Sequence, residues 1–434
     1  MQRQITVNLG NLILSLSDAI DLADPSLILH QQRTGLVVWE MGKAAGFQDE
    51  RLEKTFIAAL LHDIGAFSME EKLSLRNFET RDVDDHCIRG ETLLSNIPWL
   101  KDSSELIRYH HMEWQNWGES IENPLVFGSQ LLCIADYVER KIDRDQYILH
   151  QHEKIIAKVK SKSGSLFHPQ VIDLFLTISE SEEFWLDLVS PRLYSLLLNE
   201  GPFRKIEIHF SDIFAISELF RNIIDFRSRF TSTHSSGVAA AASILSKVFG
   251  FTETETGLLE VAGNLHDIGK LAIPTSILNK PGKLTKNEML IMKSHTYYTY
   301  SIINTIGGLQ QIAEWAAYHH EKLDGSGYPF HCSADELSTG ARIMMVADIF
   351  TAVTEDRPYR KGMSKDGVVR ILKQFSKSRL LDTRIIDLLF ENYSIIFAYV
   401  SEKQAKARDF YEKQFSFLSA LYSGANKQKD DHHG

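Results

Sequence analysis

His266 and Asp267 stand side by side at the end of the apolar run Val261–Leu265, in a pattern that reads as a buried helix. A buried imidazole and a buried carboxylate are costly unless they are paired or bound to metal. Alone, such a pair is more often a hydrogen-bonded structural feature. Here His234, His295, His319, His320 and Asp348 lie on further helical segments of the same half. Five histidines and two aspartates make a nitrogen and oxygen donor set, suited to iron, manganese or another first-row divalent ion rather than to a closed thiolate zinc site. An Asp between two ions can bridge them, and two ions about 3.5–4 Å apart can activate a hydroxide and neutralise charge on a phosphoryl group. Phosphodiester hydrolysis is the reaction for which such a site is best adapted.

The same constellation occurs twice. Laying His62-Asp63-Ile64-Gly65 over His266-Asp267-Ile268-Gly269 brings His30 onto His234, and Gly46-Phe47 onto Gly250-Phe251, without a gap. After five extra residues His86 falls on His295 and Tyr109-His110-His111 on Tyr318-His319-His320, and after three more Ala135-Asp136 falls on Ala347-Asp348. An internal repeat of this length implies two homologous domains. A Leu-rich helical segment ends at Asn199-Glu200-Gly201-Pro202, so the domains are expected at 1–200 and 201–434.

The elements that must position these residues are helices. Glu53–Leu61 and Gly367–Lys373 carry helix-period apolar positions, and the clearest strand candidate is Lys205–Phe210. The expectation is an all-α chain of two tandem helical domains. A chain of 434 residues, 44% hydrophobic and 24% charged, has ample material for buried cores. Its net charge of −10 argues against binding nucleic acid polymers, which takes a basic surface. Cys87, Cys133 and Cys332 are odd in number and lack zinc-knuckle spacing, so they read as buried thiols in a reducing compartment. No run approaches the roughly 20 apolar residues of a membrane helix, and the N-terminus lacks a cleavage pattern; the expected location is the cytoplasm. Trp114 and Trp117 are read as packing residues rather than base-stacking platforms, and the polar tail from Asn426 is given no role.

His266-Asp267-Ile268-Gly269-Lys270, followed by His319-His320-Glu321-Lys322-Leu323-Asp324-Gly325-Ser326-Gly327-Tyr328-Pro329, resembles the two signature motifs of the HD-GYP family. Asp356-Arg357-Pro358-Tyr359-Arg360, shortly after Asp348, resembles a further segment of that family, and the likeness covers about residues 230–400. It implies an α-helical HD-superfamily fold and hydrolysis of cyclic di-GMP or the mixed 3′,3′-cyclic GMP-AMP to a linear 5′-phosphorylated dinucleotide. It also implies the ligand set His234, His266, Asp267, His295, His319, His320 and Asp348, with Asp267 bridging two divalent ions, Fe or Mn. Lys270, one helical turn from His266, would hold a non-bridging phosphate oxygen during in-line attack by a hydroxide. Gly325, Gly327 and Pro329 would shape a loop presenting Tyr328, and Arg357 and Arg360 would contact phosphate or base. Two departures stand out. Phe230 replaces a Glu that supports a third ion in some members, so two ions are expected. Thr299 replaces a Gly, which bears on helix packing.

In the N-terminal copy, His30, His62, Asp63, His86, His110, His111 and Asp136 keep all seven ligand positions, a possible second metal site. Ala66 replaces the Lys, and Met112–Gly118 replaces the GYP segment, so the family's phosphate-positioning apparatus is missing. This copy is either a regulatory partner that retains a metal, a second phosphohydrolase acting as a 5′-nucleotidase on the linear product, or a vestigial core. For the whole chain the alternatives are a non-catalytic cyclic dinucleotide sensor or another HD nucleotide phosphohydrolase. A homodimer or a signalling-protein partner is compatible with either.

Overall fold

The computed structural model describes residues 7–22, 27–66, 84–203, 207–227, 233–356 and 361–427. Among the described residues the chain is helical, with two short strands. In chain order the helices are α1 (Leu9–Asp21), α2 (His30–Ala44), α3 (Asp49–Leu61), α4 (Asp84–Leu94), α5 (Lys101–Arg108), α6 (Pro124–Arg140), α7 (His152–Lys160), α8 (Pro169–Ser179), α9 (Glu182–Leu188) and α10 (Leu193–Glu200). There follow α11 (Phe210–Arg227), α12 (His234–Phe249), α13 (Glu253–Leu265), α14 (Thr275–Leu278), α15 (Lys286–Ile306), α16 (Gln310–Ala317), α17 (Thr339–Thr354), α18 (Lys365–Lys377), α19 (Thr383–Glu391) and α20 (Tyr393–Lys427). The strands β1 (Val7–Asn8) and β2 (Glu207–Ile208) pair antiparallel, so the described part of the strand-like run at Lys205–Phe210 forms a minimal ladder, Lys205 and Ile206 lying outside the described residues. The all-α expectation holds.

The chain divides into two compact units, one of Met1–Leu219, Leu271–Ile277 and Ser301–Gln310, the other of Phe220–Lys270, Leu278–Tyr300 and Gln311–Gly434. The division falls within α11, whereas Asn199–Pro202 ends α10. The limits 1–200 and 201–434 remain a proposal for the extent of each repeat.

Local signals explain the helices that matter. Thr252 and Glu255 form a reciprocal capping box that starts α13. α12 ends at Gly250, whose φ of +103° closes the helix in the left-handed region that glycine adopts without strain. Asn123 caps α6, with Pro124 at its first turn, and Ser338 caps α17. α12 and α13 approach closely because small residues face one another; a Cβ on Gly263 would lie 2.5 Å from Ala239 Cα. In the N-terminal unit α2, α3 and α6 are lined by Leu36, Val37, Phe56, Leu60, Leu131 and Ile134, all buried. Trp114 stacks edge-on to His168 and Trp117 lies against Tyr109, as packing residues do.

The glycines of the two HDIG segments answer a packing demand. A Cβ on Gly269 would meet His295 O at 1.9 Å and Thr299 N at 2.6 Å; one on Gly65 would meet His86 O at 2.0 Å and Gly90 N at 2.6 Å. The helix carrying the middle histidine thus lies directly on the HDIG backbone. Thr299 makes this contact specific, accepting from Gly269 N at 3.0 Å and donating to His266 O at 2.9 Å. Its hydroxyl therefore serves packing, as expected from its place opposite Gly90.

Gly269→Ala is expected to destabilise the C-terminal unit by about 1–3 kcal/mol, since backbone rather than a flexible side chain must yield, and thermal unfolding checks it. A second expectation concerns Asp18 in α1, whose carboxyl is pushed up to about 7 by burial and by neighbouring Asp21, with Gln32 opposing. A carboxyl raised on folding contributes stability below its unfolded value near 3.8, and that contribution fades as pH rises through about 7. Asp18→Asn is therefore expected to stabilise the chain at pH 8 by about 1–2 kcal/mol and to have little effect at pH 4, read from melting temperatures at the two values.

Candidate metal centres

In the C-terminal unit the seven candidate ligands come from five places. His234 opens α12, His266 caps the end of α13 with Asp267 next in sequence, His295 lies in α15, His319 and His320 sit on the 3-10 turn Tyr318–His320 after α16, and Asp348 lies in α17. The fold gathers them all. His234 Nε2 is 3.1 Å from Asp348 Oδ1, and His320 Nδ1 is 3.7 Å from Asp348 Oδ2. Asp267 faces two ways, with Oδ2 3.2 Å from His266 Nε2 and Oδ1 3.4 Å from His295 Nε2 and 4.0 Å from His319 Nε2. Donor atoms within 4.8 Å of one another group as His234–His266–Asp348, as His295–His319–His320 and as His266–Asp267–His319.

The hydrogen bonds on the far sides of the rings decide what this cluster can hold. Nδ1 of His266, His295 and His319 lies 2.7, 2.6 and 2.6 Å from the carbonyl three residues earlier, on Gly263, Met292 and Ala316. A carbonyl only accepts, so Nδ1 carries the proton and Nε2 points inward as a bare lone pair. Burial, together with the neighbouring histidines, keeps His319 well below its usual range, and burial pushes His295 down to about 3. Both shifts favour the neutral ring. His295 Nε2 and His319 Nε2, 3.3 Å apart, are therefore two acceptors facing one another and a carboxylate. His266 Nε2 and Asp267 Oδ1 are buried without a hydrogen-bond partner. Buried acceptors converging at these distances are satisfied by a cation, and the nitrogen and oxygen donors fit a divalent metal.

His234 differs. Burial alone would lower it, but Asp348 and Glu355 outweigh burial and raise it to about 10. Glu355 Oε2 lies 3.5 Å from His234 Nδ1, behind the ring, and Glu355 Oε1 accepts from Thr233 Oγ1 at 2.5 Å. Burial acts against the charged form of Asp267, yet the Lys270 ammonium beside it helps hold its carboxyl well below the usual range.

Lys270 reaches Asp267 Oδ2 at 2.6 Å, with its side chain 17% exposed, so it stands at the rim of the cluster. His320, 33% exposed, marks the open side. The Tyr328 ring lies 5.0 Å from that of His320 and carries Lys293 Nζ over its face at 4.9 Å. Gly327 is required, since a Cβ there would lie 2.3 Å from Glu321 Cα, and Gly325 adopts φ +75°. Sequence reasoning missed Glu321. It is buried, and its carboxylate accepts from the backbone N–H of Phe330, His331 and Cys332 at 2.8, 3.2 and 3.2 Å, tying the loop to the histidine pair. Phe230, Arg357 and Arg360 lie outside the described residues.

The N-terminal unit builds the same cluster. His30 Nε2 lies 3.2 Å from His62 Nε2, 3.4 Å from Asp63 Oδ2 and 3.5 Å from Asp136 Oδ1. His86 Nε2 lies 3.3 Å from His110 Nε2 and 3.6 Å from Asp63 Oδ1. His62 and His110 again direct Nδ1 to the carbonyl three residues back, at 2.9 and 2.7 Å, and burial pushes His110 down to about 4. Asp63 Oδ1 and His111 Nε2 are buried without a hydrogen-bond partner. His30 has its own carboxylate behind the ring, Glu139 Oε2 at 2.5 Å from Nδ1, taken from a position unrelated to Glu355.

Two residues of this unit were given no place in the cluster by the sequence reading. Arg140, one turn after Asp136 on α6, bonds Asp136 Oδ1 through Nε at 2.6 Å with its side chain only 2% exposed. Where Ala66 leaves no cation, Arg140 brings one from another helix, and its i,i+4 spacing from Asp136 was a legible signal. The other is Cys87, adjacent to His86.

Comparison with known proteins agrees with both halves. The model of the HD domain family matches residues 15–164 and 218–385. The chain is 30% identical over 399 residues to 3′3′-cGAMP-specific phosphodiesterase 1 of Vibrio cholerae, across 89% of this chain and 92% of that protein. It is 38% identical over 168 residues to a cyclic di-GMP phosphodiesterase response regulator of Xanthomonas campestris, across 38% of this chain and 44% of the relative. Among solved structures, a cyclic GMP-AMP specific phosphodiesterase of V. cholerae superposes with a TM-score of 0.64 at 21% identity, over 90% of this chain and 98% of that one, a likeness of fold. No helix among the described residues is long and apolar enough to cross a membrane. With the family model matching most of its length and a relative aligned nearly end to end, the chain belongs to the HD domain family, in its HD-GYP branch.

Proposed function

We propose that the chain is a metal-dependent phosphodiesterase that opens a 3′,5′-cyclic dinucleotide at its C-terminal centre, giving the linear 5′-phosphorylated dinucleotide. The observation that carries this is the two-way placement of Asp267, one oxygen toward His266 and Lys270, the other toward His295 and His319. Two ions, Fe or Mn, would be held by His234, His266, Asp267 and Asp348 and by Asp267, His295, His319 and His320. When bound, such a pair supplies Lewis acidity that activates water and offsets phosphoryl charge.

This chain's own residues do the rest. The carbonyl bonds behind His266, His295 and His319 fix ring orientation before any ligand arrives. Lys270, at the rim and within reach of Asp267, would take a non-bridging phosphate oxygen and stabilise the charge that grows there. The loop at Gly325–Pro329 places Tyr328 beside His320, where a base or ribose of a bound dinucleotide would pass. Near full-length similarity to a 3′3′-cGAMP-specific relative makes the mixed guanine–adenine dinucleotide the first substrate to try, with cyclic di-GMP second.

For the N-terminal centre, Arg140 favours an anion-facing role: it supplies the buried cation that Ala66 does not. A phosphomonoesterase acting on the linear product fits this better than a vestigial core. Release of inorganic phosphate from the linear dinucleotide, abolished in Asp63→Ala, is the expected result; no release by metal-loaded protein leaves the regulatory reading.

The cyclic-bond activity is tested by incubating Mn- or Fe-loaded protein with 3′,3′-cyclic GMP-AMP and cyclic di-GMP. Asp267→Ala is expected to abolish opening of the ring, and Lys270→Ala to lower kcat/KM by about 100-fold with metal content unchanged. Turnover that survives Asp267→Ala but vanishes in Asp63→Ala would move the reaction to the other centre. Turnover of neither dinucleotide by the loaded chain would replace the enzyme with a sensor.

A further inference from the structure

The N-terminal centre carries a donor that its C-terminal counterpart lacks. Cys87 follows His86 in α4, where Thr296 follows His295 in α15. The thiol is buried, 3.6 Å from His86 Nε2 and 3.5 Å from His110 Nδ1. One ligand atom from each of His86, Cys87, His110 and His111 falls within 4.8 Å of the other three. Around a tetrahedral ion with bonds of about 2.1 Å to nitrogen and 2.3 Å to sulfur, neighbouring donors stand about 3.6 Å apart, the spacing found between the thiol and His86 Nε2 and close to the 3.3 Å between His86 Nε2 and His110 Nε2.

A second observation points into the same place. His111 Nε2 and Asp63 Oδ1 are buried without a hydrogen-bond partner, and Asp63 Oδ1 lies 3.6 Å from His86 Nε2. His110, held by Ile107 O through Nδ1, turns its Nε2 to His86. His111 Nε2 is thus an acceptor in want of a cation within a group whose His86 Nε2 the sulfur approaches at 3.6 Å.

We propose that Cys87 is a metal ligand of the N-terminal centre, so that the two copies hold chemically different ions. This rests on the reading that the N-terminal cluster binds metal at all. On ligation the thiol proton passes to solvent and a metal–sulfur bond forms, with no change of oxidation state. Three imidazoles and a thiolate favour zinc, or cobalt in its place, over manganese, whereas the all-nitrogen-and-oxygen set around Asp267 suits iron or manganese. One polypeptide then draws two kinds of ion, and the N-terminal donor set is the one able to discriminate against manganese.

The test is the absorption spectrum of the full chain reconstituted with cobalt(II), with metal content measured alongside. Sulfur-to-cobalt charge transfer gives a near-ultraviolet band that nitrogen and oxygen donors do not. The wild-type chain is expected to show the band, Cys133→Ser and Cys332→Ser to keep it, and Cys87→Thr, which installs the residue type found at 296, to lose it. A band that persists in Cys87→Thr overturns the assignment. So does its absence from a wild-type chain that binds more cobalt than Asp63→Ala does. Equal cobalt in wild type and Asp63→Ala overturns instead the underlying reading that the N-terminal cluster is a metal site. The wild-type spectrum and metal content decide the matter even if Cys87→Thr does not fold.

Discussion

The structure depends on a hydrogen bond that points away from the site. An imidazole has two nitrogens, and anchoring Nδ1 to the carbonyl one turn back leaves Nε2 with a lone pair and nothing to donate. His62 and His110 do this in one unit, His266, His295 and His319 in the other. The helix backbone, not any ligand, sets the direction of each lone pair. Acceptors facing a carboxylate repel one another, and a cation at the centre would remove that cost. Helices suit this architecture because the carbonyl needed sits at a fixed offset from each ring; for His62, His110, His266 and His319 it lies in the last turn of a helix, where carbonyls lack helical partners, and for His295 it lies within α15.

That geometry survives only if the helices stay in place. The HDIG glycines let α4 and α15 lie on the backbone beside the first His-Asp pair, and this contact puts His86 and His295 across from Asp63 and Asp267. Ridges and grooves elsewhere tolerate substitution, as the divergence of the two copies attests. The carboxylate behind the first histidine illustrates that tolerance: Glu139 and Glu355 perform the same task from positions that do not align in the repeat.

Much of this was legible in the sequence because residues able to hold a metal are few in type and recur here in a fixed order. The repeat of seven His and Asp positions, HDIG and the GYP segment located both clusters and the helical fold. Residues that act through neighbours were not legible. Glu321 is one acid among many in the chain, and only the folded loop shows its carboxylate collecting three backbone N–H groups. Arg140, and the position of the buried thiol Cys87 beside the cluster, escaped because the repeat directs attention to what matches, and both are departures from it. The change of unit within α11 also has no local signal, since a continuous helix carries the chain across it.

The Glu321 anchorage has a kinetic side. A glycine-containing loop left loose would sample many shapes, and each binding event would have to select one and bear its entropy. Three charge-assisted bonds to a buried carboxylate settle that cost once, during folding. With the loop so tied, Tyr328 is held beside His320, and the entrance would act as a preformed template. Encounter with a compact cyclic ligand would be limited by its diffusion and orientation rather than by a closing movement of this loop.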